Sequence, residues 1–238
     1  MPHKRLLLLS NSKNFGSGYL THAEGTIVDF LGPGVSEVLF VPFAAVRTSF
    51  DEFATMVAER FGAMGYGLKS VHTTPEPQAA VQAARAIAVG GGNTFALLKR
   101  LHDLRLLEPL RAAALAGIPY MGWSAGANIA GPTIRTTNDM PIVEPPSLSA
   151  LALVPFQINP HYTDGVIPQH SGETRADRLL EFIAANPGVP VVGLREGTLL
   201  RVEGTRVTLV GEKAARVFLQ GREPWEVEPG SGLQPLMG

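Results

Sequence analysis

Five short strand-like runs, Leu6 to Leu9, Val38 to Phe43, Leu68 to His72, Ala86 to Val89 and Ile118 to Met121, alternate along this chain with segments of helical spacing. Parallel strands cannot be joined by a tight turn, so a strand, helix, strand succession builds right-handed crossovers that leave helices on both faces of a sheet. A strand covered on both faces reads as continuous apolar sequence, as Leu6-Leu7-Leu8-Leu9 does. The helical segments carry matching local signals. Ser49-Phe50-Asp51-Glu52 has capping-box spacing before Phe53 to Met64, Pro77 to Ala84 is alanine-rich, and Thr94 to Leu101 and Leu107 to Ala116 precede the fifth strand. The alternation predicts a three-layer α/β/α fold with a mostly parallel central sheet.

Beyond residue 131 the pattern loosens. Pro132 to Pro146 reads as a long surface loop, followed by a strand at Phe156 to Asn159, a helix from Gly172-Glu173-Thr174 to Ala185, and a strand at Val189 to Leu194. Leu199 to Val202, Val207 to Val210 and Ala215 to Leu219 then predict a C-terminal antiparallel β hairpin and strand, ahead of a loosely ordered Gly- and Pro-rich tail. With no repeat or linker, residues 1–238 are expected to form a single domain.

Composition narrows the function. The net charge is −1 and Lys and Arg are scattered, which argues against nucleic acid. The absence of cysteine excludes disulfides, thiolate zinc sites and a cysteine nucleophile. His and carboxylate residues form no cluster at zinc spacing, so neither metal nor cofactor is expected. The apolar core of Met1 to Ser10 is too short for a secretory signal and no run is long enough to span a bilayer, so a cytoplasmic protein is expected.

Chemistry concentrates at Gly122-Trp123-Ser124-Ala125-Gly126. This Gly-X-Ser-X-Gly lies between an apolar strand and an alanine-rich helical run, Ala125 to Ala130, which is the setting of a nucleophile elbow. Such a turn lifts Ser124 at the carboxyl end of a strand, where ligands of α/β sheets gather, and aims helix N–H groups at the same point. A second glycine turn, Gly90-Gly91-Gly92-Asn93, ends the preceding strand at the same edge; it lacks both the Gly-X-Gly-X-X-Gly spacing and the Walker lysine of phosphate loops.

A serine hydroxyl needs a base, and only His161 and His170 follow the elbow. His161, in Gln157-Ile158-Asn159-Pro160-His161-Tyr162, ends a predicted strand and is the better placed at that sheet edge. The imidazole in turn needs a carboxylate. Glu196 follows the Val189 to Leu194 strand and ranks first; Asp139, in the long loop, ranks second as the alternative acid, and Asp164 is a further competitor.

Four segments together, Val89 to Thr94, Gly122 to Asn128, Thr133 to Ile142 and Gln157 to Tyr162, resemble peptidase E, a family of serine-type α-aspartyl dipeptidases. The likeness runs from the first strand to about Gly197. It implies a fold of the class I glutamine amidotransferase type, a Ser124, His161, Glu196 triad, and an oxyanion hole from the N–H groups of Gly91 or Gly92 with Ala125. It also implies a small dipeptide substrate with an amino-terminal Asp. The side-chain carboxylate then calls for a cation. Arg175 is the best candidate because a guanidinium grips a carboxylate bidentately, with His170 and Arg135 secondary. Glu173 could meet the substrate ammonium, and the Pro132 to Pro146 loop could wall a narrow pocket. A homodimer is compatible with the likeness and the apolar tail. A cyanophycinase-like β-aspartyl peptidase, an esterase, and a carboxylate-binding module without catalysis are the alternatives.

Overall fold

A computed structural model describes residues 4–165, 171–233 and 236–237. The first half of the chain runs β1 (Arg5–Leu9), α1 (Glu24–Leu31), β2 (Glu37–Val41), α2 (Phe50–Ala63), β3 (Gly67–Ser70), α3 (Pro77–Ala83), β4 (Ile87–Val89), α4 (Thr94–Asp103), α5 (Leu107–Leu115), β5 (Tyr120–Trp123) and the short α6 (Ala125–Asn128). The second half is β6 (Gln157–Tyr162), α7 (Arg175–Ala185), β7 (Val191–Arg195), β8 (Leu199–Glu203), β9 (Arg206–Val210), β10 (Ala215–Phe218) and β11 (Trp225–Val227).

The strands form two sheets. A seven-stranded sheet has the order β3-β2-β4-β5-β1-β8-β9, in which β3 through β1 are parallel and the β8-β9 hairpin extends the β1 side antiparallel. The side chains of β1 show why its sequence is continuously apolar. Leu6 and Leu8 enter the core shared with α3 to α6, whereas Leu7 and Leu9 enter the opposite core with Ile27 and Phe30 of α1 and Val57 and Phe61 of α2. Strand alternation thus feeds two hydrophobic layers from one four-leucine run.

Three features depart from the sequence reading. First, β6 and β7 do not join the main sheet. They pair in parallel with each other, and β7 pairs antiparallel with β10, giving a four-stranded sheet in the order β11-β10-β7-β6 with a small core of its own under α7. Second, a helix, α1, lies between the first two strands, where Ile27, Phe30 and Leu31 have the i, i+3, i+4 spacing of a buried helical face. Third, the tail assigned no regular structure contributes β11, which pairs with β10 through Ala215 to Val217, and a bridge from Gly232 to Thr208.

The capping box of α2 is complete: Ser49 Oγ accepts from Glu52 N, and Glu52 Oε2 accepts from Ser49 N at 3.0 Å. Among the described residues no helix is long and apolar enough to cross a membrane.

Candidate active site

Ser124 occupies the turn between β5 and α6 with φ 54° and ψ −112°, a conformation a non-glycine residue adopts only when its surroundings impose it. The two flanking glycines are what permit that crossing. A Cβ on Gly122 would lie 2.2 Å from the carbonyl oxygen of Gly126, and one on Gly126 would lie 2.2 Å from that of Val89. The strand, the helix and neighbouring β4 therefore approach at backbone distance. Gly126→Ala should force α6 away from β4 at a cost of about 3 kcal/mol or more, read as a large fall in melting temperature. An unchanged melt would show that the elbow is less closely packed than described.

The base is aimed by an irregularity in β6. Asn159 is in register with Gly193 and Tyr162 with Arg195, so β6 carries one residue more than β7 over this interval. Pro160 has no N–H to give the ladder, and His161 follows at φ 54°. Bulges of this kind turn a side chain out of the regular alternation. Here the ring reaches across from the second sheet to the elbow, with His161 Nε2 2.9 Å from Ser124 Oγ. On the far side of the ring, Nδ1 lies 2.7 Å from Glu196 Oε1. Both side chains are about half exposed, at 40% and 50%.

The competing carboxylates have other partners. Asp139 Oδ2 accepts from Thr94 N at 2.7 Å, from Thr94 Oγ1 at 2.6 Å and from Thr137 Oγ1 at 3.1 Å, which caps the amino end of α4. It is therefore not the group that holds His161. Asp164 receives Arg195 Nε at 2.7 Å and Tyr162 Oη at 3.2 Å. The hydrogen bond from Arg195 chiefly holds its carboxyl below the usual carboxylate range. Arg195 also grips Glu226 with both terminal nitrogens, so this guanidinium beside Glu196 is committed to two other carboxylates.

The glycine turn after β4 packs against the elbow. A Cβ on Gly91 would stand 3.1 Å from Ser124 Cβ, so this turn touches the nucleophile, and Gly92 has φ 140°, open to glycine alone. The N–H groups of Gly91 and Gly92 have no partner among the described residues, and that of Ala125, first in α6, is free of the helical ladder. Gly91, against Ser124, and Ala125, next to it in the chain, thus each carry an N–H free of the backbone ladders.

Of the side chains assigned to substrate, Arg175 comes nearest in connection to the base. It begins α7, is half-buried, and donates through Nη1 to Asn138 Oδ1. Desolvation, with Arg178 as a lesser cause, draws its pKa down from the ordinary guanidinium value. Asn138, which the sequence reading passed over, donates from Nδ2 to the carbonyl of Pro160 at 2.6 Å, one residue before His161. Its oxygen also accepts from Asn159 Nδ2 at 2.6 Å. Arg135 lines the same cleft as Arg175 and Glu173; its Nη1 donates to Asn186 Oδ1 at 2.8 Å and its guanidinium lies over the Phe182 ring. Those partners lie in the last turn and C-cap of α7, whereas Arg175 is its first residue. Glu173 lies 3.8 Å from Arg178 with both side chains exposed, in the same cleft as Arg175. His170 lies outside the described residues.

The loop from 132 to 146 does run beside the site. Asn93 Nδ2 donates to the carbonyl of Met140, Asp139 caps α4 and Asn138 holds Pro160, so the loop joins the glycine turn to β6. Among the described residues no group of three or more His, Cys, Asp or Glu side chains has the arrangement of a metal site.

A strained serine at an elbow, an imidazole in line behind it, a carboxylate behind that and a glycine turn with free N–H donors against the elbow form the arrangement of a serine hydrolase on an α/β/α frame. The comparisons with known proteins agree. Residues 6–210 match the model of Peptidase family S51, and the chain belongs to that family. It is 50% identical to Peptidase E of Streptomyces coelicolor over 98% of this chain and 94% of that protein. Peptidase E of Nostoc sp. is 47% identical over 98% and 97%. A Drosophila melanogaster protein named "Probable alpha-aspartyl dipeptidase" is 46% identical over 98% of each. The crystal structure of a peptidase from an acI-B1 Actinobacterium shares the fold, with a TM-score of 0.71 at 19% identity over 97% of this chain and 96% of that one.

Proposed function

We propose that this protein is a serine-type dipeptidase that hydrolyses dipeptides with an amino-terminal L-aspartate, with Ser124 as nucleophile, His161 as base and Glu196 as the acid that orients it. The observation that carries the reading is the in-line hydrogen bonding of Ser124, His161 and Glu196 at a strained elbow. Aspartate specificity is supported by the name of the Drosophila relative and by a half-buried guanidinium at Arg175.

In this mechanism His161 Nε2 takes the hydroxyl proton as Ser124 Oγ attacks the carbonyl carbon of the aspartyl residue. The oxygen charge that develops is met by the N–H groups of Gly91 or Gly92 and Ala125. The imidazolium, stabilised by Glu196, then protonates the leaving amine, the C–N bond breaks, and an aspartyl ester of Ser124 remains. Water activated by His161 attacks that ester and frees aspartate. Arg175 takes the aspartate side-chain carboxylate after giving up, or sharing with, Asn138.

Release of free aspartate from Asp-Leu, compared with Glu-Leu, Ala-Leu and β-Asp-Leu in the presence of a chelator, tests the reading. Chelator-resistant turnover of Asp-Leu alone is expected. Turnover of β-Asp-Leu instead would move the protein to the cyanophycinase side. Within the same assay, Arg175→Met should raise KM for Asp-Leu roughly thirtyfold, the equivalent of about 2 kcal/mol for one charge-assisted hydrogen bond. An unchanged KM would remove Arg175 from the pocket.

A further inference from the structure

Leu9 ends β1 and Ser10 and Asn11 follow it; the three carry none of the chemistry above, yet the backbones of all three triad segments are hydrogen-bonded to them. The carbonyl of Leu9 accepts from Ser124 N at 3.1 Å. Ser10 is fully buried; its Oγ accepts from His161 N at 2.9 Å and donates to the carbonyl of Leu194 at 2.7 Å, two residues before Glu196. Ser10 N donates to the carbonyl of Thr198 at 3.0 Å. Asn11, also buried, accepts from Gly197 N through Oδ1 at 2.8 Å, directly after Glu196. Nucleophile, base and acid come from two different sheets, and this tripeptide is bonded to each.

We propose that Ser10 is the positioning residue of the site. Its hydroxyl fixes the base strand against the acid strand, and Asn11 sets the turn that carries Glu196. The chemistry of the hydroxyl fits that task. The amide of His161, displaced from the regular ladder by the bulge, needs an acceptor, and a serine accepts there while donating to the neighbouring strand. Alanine would leave His161 N and the carbonyl of Leu194 without that partner and let the two strands separate by a fraction of an ångström. A shift of about 1 Å in a reacting group can cost on the order of a hundredfold in rate.

The inference rests on the triad reading above, and its test separates the two. Ser10→Ala should lower kcat for Asp-Leu by ten- to a hundredfold with KM nearly unchanged, and should weaken or shift the low-field proton resonance of His161 Nδ1–H, assigned by its loss in Glu196→Gln. Asn11→Ala should act in the same direction, and stands in if Ser10→Ala does not fold. Val202→Ala, a buried change on adjacent β8, supplies the control for lost stability and should leave kcat intact. Ser10→Ala and Asn11→Ala with kcat and resonance both unchanged would overturn the proposal. So would a matching loss of kcat in Val202→Ala at the same melting temperature. If the parent chain fails to cleave Asp-Leu but keeps the resonance, the substrate reading fails and the resonance alone decides the role of Ser10. Absence of the resonance and of all turnover in the parent overturns both.

Discussion

Alanine at position 124 should leave a folded protein that releases aspartate from Asp-Leu at least ~10⁴-fold more slowly than the parent chain. The Cβ is retained at φ 54°, so neither the backbone strain nor the packing of the elbow changes; only the Oγ and its bond to His161 are lost. What remains is water attacking a carbonyl that is still held and polarised by the glycine turn. Because nucleophile and base act as a unit, Ser124→Ala combined with His161→Ala should be scarcely slower than Ser124→Ala alone. Steady-state rates of the two single variants and the double variant check this. Residual activity above about one part in a hundred in Ser124→Ala would place the nucleophile elsewhere.

The second large effect concerns the acid. Glu196→Gln should lower kcat by ~10³-fold while leaving the melting temperature close to that of the parent. Replacing a buried triad aspartate by its amide costs about 10⁴-fold in the best-studied serine protease. Glu196 is half exposed, so water supplies part of the stabilisation lost with the charge, and a somewhat smaller effect is expected. Asp139→Ala should behave differently. It removes the acceptor of three hydrogen bonds at the start of α4, so its loss of activity should come with a lowered melting temperature, the cap alone contributing ~1 kcal/mol. Paired kinetics and thermal melts separate the two carboxylates. A tenth or more of parental kcat in Glu196→Gln would deny it the role.

The parts of this architecture legible in the sequence are those imposed by local sterics. Gly122 is required by the carbonyl of Gly126 within the elbow itself, and Ser49 and Glu52 cap a helix they themselves begin. The four leucines of β1 announce burial on both faces. Pairing between distant strands left no comparable trace. Val189 to Leu194 looks like any buried parallel strand, and nothing in it says that its antiparallel neighbour is β10 rather than a strand of the main sheet. Trp225–Val227 is too short and too close to Pro224 to stand out as a strand until β10 is there to pair with it.

At the site the same division holds. Ser124, His161 and Glu196 could be picked out because each lies at or near the end of an apolar run, and they meet in space. The direction of a long side chain in a loop could not be read. Arg175 ranks ahead of Arg135 on the sequence, but the partners that hold them, Asn138 and Asn186, emerge only from the structure. Asn138 itself carried no signal beyond being one polar residue in a polar loop.

The contacts of residues 9–11 also bear on how an active molecule comes into being. Ser10 meets His161 across 151 positions of the chain, and Asn11 meets Gly197 across 186. Contacts of such separation form only after the entropy of closing the intervening loops has been overcome, late in the acquisition of structure. The parallel strands of the main sheet can assemble first, giving compact molecules with most of their final backbone conformation and no working triad. During refolding, hydrolytic activity should therefore lag behind recovery of the circular dichroism signal. A chain still emerging from the ribosome remains inert until its last third has joined the fold.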